Sequence, residues 1–129
     1  GLPAAGSEFT AQDDPNRTYK MAPSYSDDNA LFLSLNGSPS GTLTVADPKA
    51  GMVLSVIGSV AGGATTIEYV VYHQDGSSTA GEVEVPDWFN VNVNRAVTTG
   101  GRINVVNGRC DQLAANNPHL YYVDIPPAE

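Results

Sequence analysis

Three short runs hold the residues best suited to chemistry. Pro86-Asp87-Trp88-Phe89-Asn90 contains the only tryptophan of the chain, flanked by a carboxylate and an amide. A tryptophan at a strand end offers its flat face to the apolar side of a pyranose ring, with Asp87 and Asn90 reaching hydroxyls. The same residues equally fit a sandwich cap, in which Trp88 and Phe89 close the core and Asp87 satisfies loop amides. Gly100-Gly101-Arg102-Ile103-Asn104 permits a tight backbone and presents a planar donor fork. Arg102, with Asn104 beside it, suits a sugar hydroxyl or a uronate carboxylate, or a pairing with one of the surplus acids. Tyr25-Ser26-Asp27-Asp28-Asn29 sets two carboxylates and an amide in succession. Asp27 and Asp28 are the candidate ligands for a hard cation such as calcium; the alternative is an Asx-type turn that starts a strand.

No constellation for catalysis stands out beside these runs. Asp47 precedes Pro48, Asp75 sits in a turn sequence, and Glu82 and Glu84 alternate with Val83 and Val85 as the solvent side of a strand. His73 and His119 lie in unrelated contexts, without a second His or Cys at zinc-ligand spacing. The single Cys110 has no internal partner and reads as a small buried hydrophobe. The expectation is a protein that is not an enzyme and requires no cofactor, a structural calcium ion being the one candidate.

Composition narrows the partners. A chain of 129 residues has room for one domain with a proper core. Six basic residues against fourteen acidic ones give a net charge of −8. That disfavours nucleic acid, which is bound largely through Lys and Arg contacts to phosphate, and equally disfavours anionic membrane surfaces. No run approaches the ~20 apolar residues of a membrane span. Neutral sugars, cations or another protein remain. The chain opens without a leader, as does a secreted protein after processing. Gly6-Ser7-Glu8-Phe9 is what two adjacent common cloning sites encode. Residues 1–17 are therefore expected to be a cloning remnant and flexible lead-in, and residues 18–129 one domain.

The elements that must position these residues read as short strands. Residues 30–35 (ALFLSL), 41–45 (GTLTV), 52–57 (MVLSVI), 65–73 (TTIEYVVYH), 78–85 (STAGEVEV), 102–106 and 120–125 are apolar or alternating, with Gly, Pro, Asn, Asp and Ser between them. The run at 52–57 is apolar enough for a central strand covered on both faces. Asp75-Gly76 between two strand-like runs predicts a hairpin with a type I′ turn. Only residues 111–115 suit a helical turn. Strands at intervals of roughly 8–12 residues indicate an all-β, two-sheet antiparallel β-sandwich. Its core is expected to bury Leu31, Leu33, Leu43, Val45, Val53, Leu54, Val56, Ile67, Val70, Val83, Val85, Ile103 and Leu120.

Several pieces recur together in a known order: Asp28-Asn29-Ala30-Leu31, Gly41-Thr42-Leu43-Thr44-Val45, Leu54-Ser55-Val56 with its glycine-rich follow-on, Asp75-Gly76, Val85-Pro86-Asp87-Trp88-Phe89, Gly101-Arg102, and Asn117-Pro118-His119-Leu120-Tyr121. The set, spanning about residues 19–125, resembles the galactose-binding-like jelly-roll modules of secreted multi-domain proteins of Bacteroidetes-type bacteria. The resemblance implies a jelly-roll with ligand loops at one end, often a structural calcium, and no catalysis of its own. It points to Trp88, Arg102 and the Asn117-Pro118 segment as ligand positions. It also implies a closing strand after residues 120–125, where this sequence has Pro126-Pro127-Ala128-Glu129. Either the N-terminal segment fills that edge, or the edge stays open to another chain. The reading is a non-catalytic carbohydrate-binding accessory module of an extracellular protein, secreted or at the cell surface. Its partners would be a glycan or cell-surface polysaccharide and neighbouring domains. The alternative is a structural or adhesive β-sandwich module held by protein contacts.

Overall fold

The computed structural model describes residues 1–50, 53–89, 91–111 and 118–126. It is all-β, with nine strands among the described residues: β1 (Glu8–Thr10), β2 (Thr18–Lys20), β3 (Leu54–Gly58), β4 (Thr65–Tyr72), β5 (Ser78–Val85), β6 (Arg95–Thr98), β7 (Arg102–Ile103), β8 (Cys110–Asp111) and β9 (His119–Ile125). They form one three-stranded antiparallel sheet, ordered β3-β9-β6, and three two-stranded ribbons, β1-β2, β4-β5 and β7-β8. Small antiparallel sheets of this kind fit a β-sandwich.

The β4-β5 ribbon follows directly from its sequence. Both strands alternate half-buried and exposed residues, and they pair without a slip from Thr65↔Val85 to Tyr72↔Ser78. Their turn differs from the expected type I′. Gly76 alone has a positive φ, at 87°. His73 N donates to Ser77 O at 2.9 Å, Gly76 N donates to His73 O at 3.1 Å, and the Asp75 carboxylate accepts from Ser77 N and Oγ. The Asp75 side chain thus stabilises a longer loop that needs only one left-handed residue.

The central strand of the sheet is β9, not the run at 52–57. β3 pairs with β9 on one side, in register Leu54↔Ile125 to Gly58↔Tyr121, and β6 pairs on the other. Asn94, with φ at 58°, turns the chain into β6, and its carbonyl accepts from Tyr122 N at 2.9 Å. Asparagine tolerates this left-handed conformation through its short polar side chain.

Residues 1–17 are tied to the sheet by hydrogen bonds. They carry β1, and residues 11–13 run along the outer edge of β6. There Gln12 N donates to Ala96 O and Asp13 N to Arg95 O, each at 3.1 Å. The Asp13 carboxylate accepts from Arg95 Nε, Nη2 and backbone N. Arg17 grips the Asp124 carboxylate with two bonds of 2.7 Å and lies over the Tyr122 ring, 4.5 Å from its centroid. Tyr19 Oη lies 2.8 Å from Ser55 Oγ. Polar side chains that looked like solvating residues in sequence are the ties between this segment and the sheet.

Among the described residues, the buried apolar side chains are Ala11, Val85, Ala96, Val97 and Tyr121, so the core sits where β6 and β9 meet the N-terminal segment and the end of β5. Leu54, Val56, Ile67, Val83 and Leu120 are half-buried. Leu31, Leu33, Leu43, Val45, Val53, Val70 and Ile103, expected in the core, are exposed, and so is Cys110, expected as a buried hydrophobe. Residues 30–35 and 41–45 form no strand; only the tip between them closes, with Ser34 N donating to Ser38 O at 2.8 Å. Phe32 is 79% and Leu35 97% exposed. An alternating pattern specifies a strand only when a surface is there to cover its apolar side, and here none of the described sheets does so.

The Asp13 to Arg95 tie yields a test. Asp13→Asn should cost about 1 to 2 kcal/mol in urea denaturation at pH 7, the scale of a partly exposed charged hydrogen bond. The Arg95 guanidinium holds the Asp13 carboxyl below its ordinary 3.8. Its contribution is therefore present above that value and lost as pH falls through the lower folded one. The gap between wild type and variant should close on acidification below about pH 4.

Candidate functional site

Where β3 ends and β9 begins, the two strands part, and the segment after β5 fills the gap. Val60 N donates to Pro86 O at 3.2 Å, Trp88 N donates to Val60 O at 2.9 Å, and His119 N donates to Trp88 O at 2.9 Å. Val60 and Asp87 form an isolated parallel bridge. The tryptophan backbone is thereby fixed from both sides by main-chain bonds.

Asp87 secures the neighbouring loop. Its carboxylate accepts from Gly63 N at 2.7 Å and from Phe89 N at 3.0 Å. These amides, Gly63 first, hold its pKa below the ordinary carboxylate value. Gly62 and Gly63, with φ at 95° and 113°, supply the left-handed backbone that lets the loop close on it. Of the two readings of Asp87, satisfaction of loop amides describes its bonds.

Trp88 and Phe89 meet edge to face, with centroids 4.4 Å apart. The Arg102 guanidinium from β7 stands over both rings, 5.3 Å from the Trp88 centroid and 5.2 Å from that of Phe89. Such a cation stiffens the aromatic pair through the negative faces of the rings. Trp88 is half-buried, so part of its surface stays accessible. It lines a mainly apolar groove of about 310 Å³ with Leu2, Thr99, Gly101, Pro118 and His119 among its walls.

His119, which lines that groove with the polar Ser59 and Thr99, is 6% exposed. Thr98 Oγ1 donates to Gln12 Oε1 at 2.5 Å and lies 2.9 Å from His119 Nδ1. With its proton committed to Gln12, Thr98 receives one from Nδ1, a tautomer assigned from the bonding network that leaves Nε2 as an acceptor. Burial pushes the His119 pKa below its ordinary 6.5, with Arg95 adding to the effect against an opposing pull from Asp13. Neutral imidazole is thus the favoured form at pH 7. Tyr121, 0% exposed, supports the ring edge to face and donates its hydroxyl to Val91 O at 3.1 Å.

Folding therefore brings Trp88, Asp87 and Arg102 into one place. Asn104 belongs to a turn: its Oδ1 accepts from Val106 N at 2.9 Å and its carbonyl from Gly108 N at 2.7 Å. Asn117, Asn90 and residues 112–115 lie outside the described residues. Asp27 and Asp28 are exposed in a bend where Asn29 Nδ2 donates to Asp27 O at 2.9 Å. Among the described residues, no group of three or more His, Cys, Asp or Glu side chains converges there or elsewhere. His119 and Thr99 were not singled out as ligand residues from sequence. The signal available was Pro118-His119 at the start of a strand, which places a histidine at a sheet end. A second groove, about 340 Å³, is lined by Arg17, Glu84, Asn94, Tyr122 and Asp124, but its Arg17 and Asp124 already bond each other.

Compared with known proteins, the chain matches no family model, no curated protein and no solved structure.

Asp87→Ala should release the Gly62-Gly63 loop and loosen the seat of Trp88. The expected result is a red-shifted tryptophan emission with stronger iodide quenching, in a protein whose far-ultraviolet circular dichroism is unchanged. An emission maximum identical to wild type would show that the carboxylate does not seat the ring.

Proposed function

We propose that this chain is a non-catalytic carbohydrate-binding accessory module of an extracellular protein, on a galactose-binding-like jelly-roll scaffold. The observation that carries the reading is the half-buried Trp88, braced by Phe89 and Arg102 at the wall of an apolar groove. A pyranose presents apolar C–H groups on one face and hydroxyls around its rim. In this reading the accessible part of the indole meets the apolar face. His119 Nε2 accepts a hydrogen bond from a hydroxyl, and the Arg102 fork donates to a ring or rim oxygen. The net charge of −8 favours neutral over polyanionic glycans. Asp27 and Asp28 remain the place for a calcium ion in this reading.

A structural or adhesive module is the second reading. It is favoured by the exposed apolar residues between 31 and 53, which suit burial against another protein surface.

The deciding experiment is affinity electrophoresis through neutral polysaccharides, with and without calcium, of wild type beside Trp88→Ala. The sugar reading expects retardation by at least one polysaccharide, weakened tenfold or more in a folded Trp88→Ala protein. Retardation by none of them moves the structural reading ahead.

A further inference from the structure

The β4 strand presents a long edge without a described partner. Among the described residues, β4 pairs with β5 alone. β5 is the strand turned toward the three-stranded sheet, since Val83 and Glu84 line a groove with Tyr122, Val123 and Asp124. Pairing within the ribbon is unbroken over eight residue pairs, and β4 contains no proline and no lysine. Bulges, prolines and charged side chains, lysine above all, are devices that blunt an edge against further pairing, and of these β4 carries only Glu68. With that one charge, the outward row of β4 amides and carbonyls is a template for one more strand of complementary charge.

The side chains specify which strand fits. Ile67, Tyr69 and Val71 are half-buried on one face, while Thr66, Glu68, Val70 and Tyr72 are exposed on the other. On that exposed face Glu68 stands directly across from Glu82, with Glu84 two positions along the same strand. Directly opposed like charges destabilise a cross-strand pair, so the ribbon holds a repulsion that a cation beside Glu68 would offset. Two positions further along β4, Val70 begins an apolar stretch that ends in Tyr72, 79% exposed. A second copy of this chain would bring more glutamates to the same face and another charge of −8.

We propose that β4 is a docking edge for an extended segment of another protein, one that sets a Lys or Arg beside Glu68 and apolar residues beside Val70 and Tyr72. The segment adds as a strand: main-chain bonds to β4 supply affinity and the Glu68 to cation contact supplies register. This edge is separate from the Trp88 groove and does not depend on the sugar reading.

The test uses two ten-residue peptides titrated into the 15N-labelled protein, each carrying one charged residue followed by valines along one face of the added strand and threonines along the other, the charge being Lys in the Val–Lys peptide and Glu in the Val–Glu peptide. The proposal expects the Val–Lys peptide to shift the β4 amide resonances, to bind at least tenfold more tightly than the Val–Glu peptide, and to weaken with salt. Glu68→Lys should reverse that preference. This variant replaces a repulsive cross-strand pair with an attractive one, so its melting temperature should equal or exceed that of wild type. Absence of binding, binding without β4 shifts, or a preference unchanged in Glu68→Lys overturns the proposal. So does sedimentation showing that the free protein already self-associates through β4. Polysaccharide retardation, present or absent, leaves each of these outcomes as it stands.

Discussion

Two main-chain hydrogen bonds at Trp88, one to Val60 and one from His119, hold the parts of the molecule in a single frame. Beyond Gly58 and Tyr121 the outer and central strands of the sheet no longer pair. The strip after β5 enters the gap and ties the ribbon to the sheet. Because backbone groups form this tie, the residue at position 88 is free to be chosen for its side chain. The aromatic ring sits at the sheet end as a consequence of strand divergence, and Asp87 and Arg102 then restrict how it moves.

How much of this could be read in the sequence depended on whether the relevant signal was local. The β4-β5 ribbon, β3 and β9 were legible within a residue or two, since alternation and an Asp-Gly turn are short-range features. β6 was not, because Arg95-Ala96-Val97-Thr98 is too short and mixed to show a period. The N-terminal ties were hidden for a different reason. Asp13, Asp14 and Arg17 look like solvent-facing polar residues until Arg95 and Asp124 are brought to them from a distant part of the chain. Residues 30–45 misled in the opposite sense, since Leu31, Leu33 and Leu43 have core chemistry without a described cover. At the site, Trp88, Asp87 and Arg102 were legible by type, and Asp87 as a loop staple was one of two open readings. His119 was missed because its setting comes from Thr98 and Gln12 on two other elements.

The balance of forces also differs from that of a well-filled sandwich. Among the described residues, few apolar side chains are buried, and many large ones are exposed. Of only six basic residues, Arg17 and Arg95 are spent on carboxylates that join distant segments, and Arg102 is spent on aromatic rings. An acidic chain that assigns half its cations to such ties keeps only Lys20, Lys49 and Arg109 to offset its remaining carboxylates. Its outer field is accordingly negative, and partners that approach are selected by that field before they meet any groove.

The Arg17 to Asp124 clamp joins residues 107 positions apart. Contacts so remote in sequence form late, because the entropy of closing the chain must be met before they contribute. During synthesis, the first twenty residues leave the ribosome long before the strand that will hold them exists. The sheet cannot acquire its central member until nearly the whole chain has emerged. Folding of this domain therefore waits until residues 119–125 have been made, and through the interval before it the early apolar runs depend on their acidic neighbours to stay dispersed.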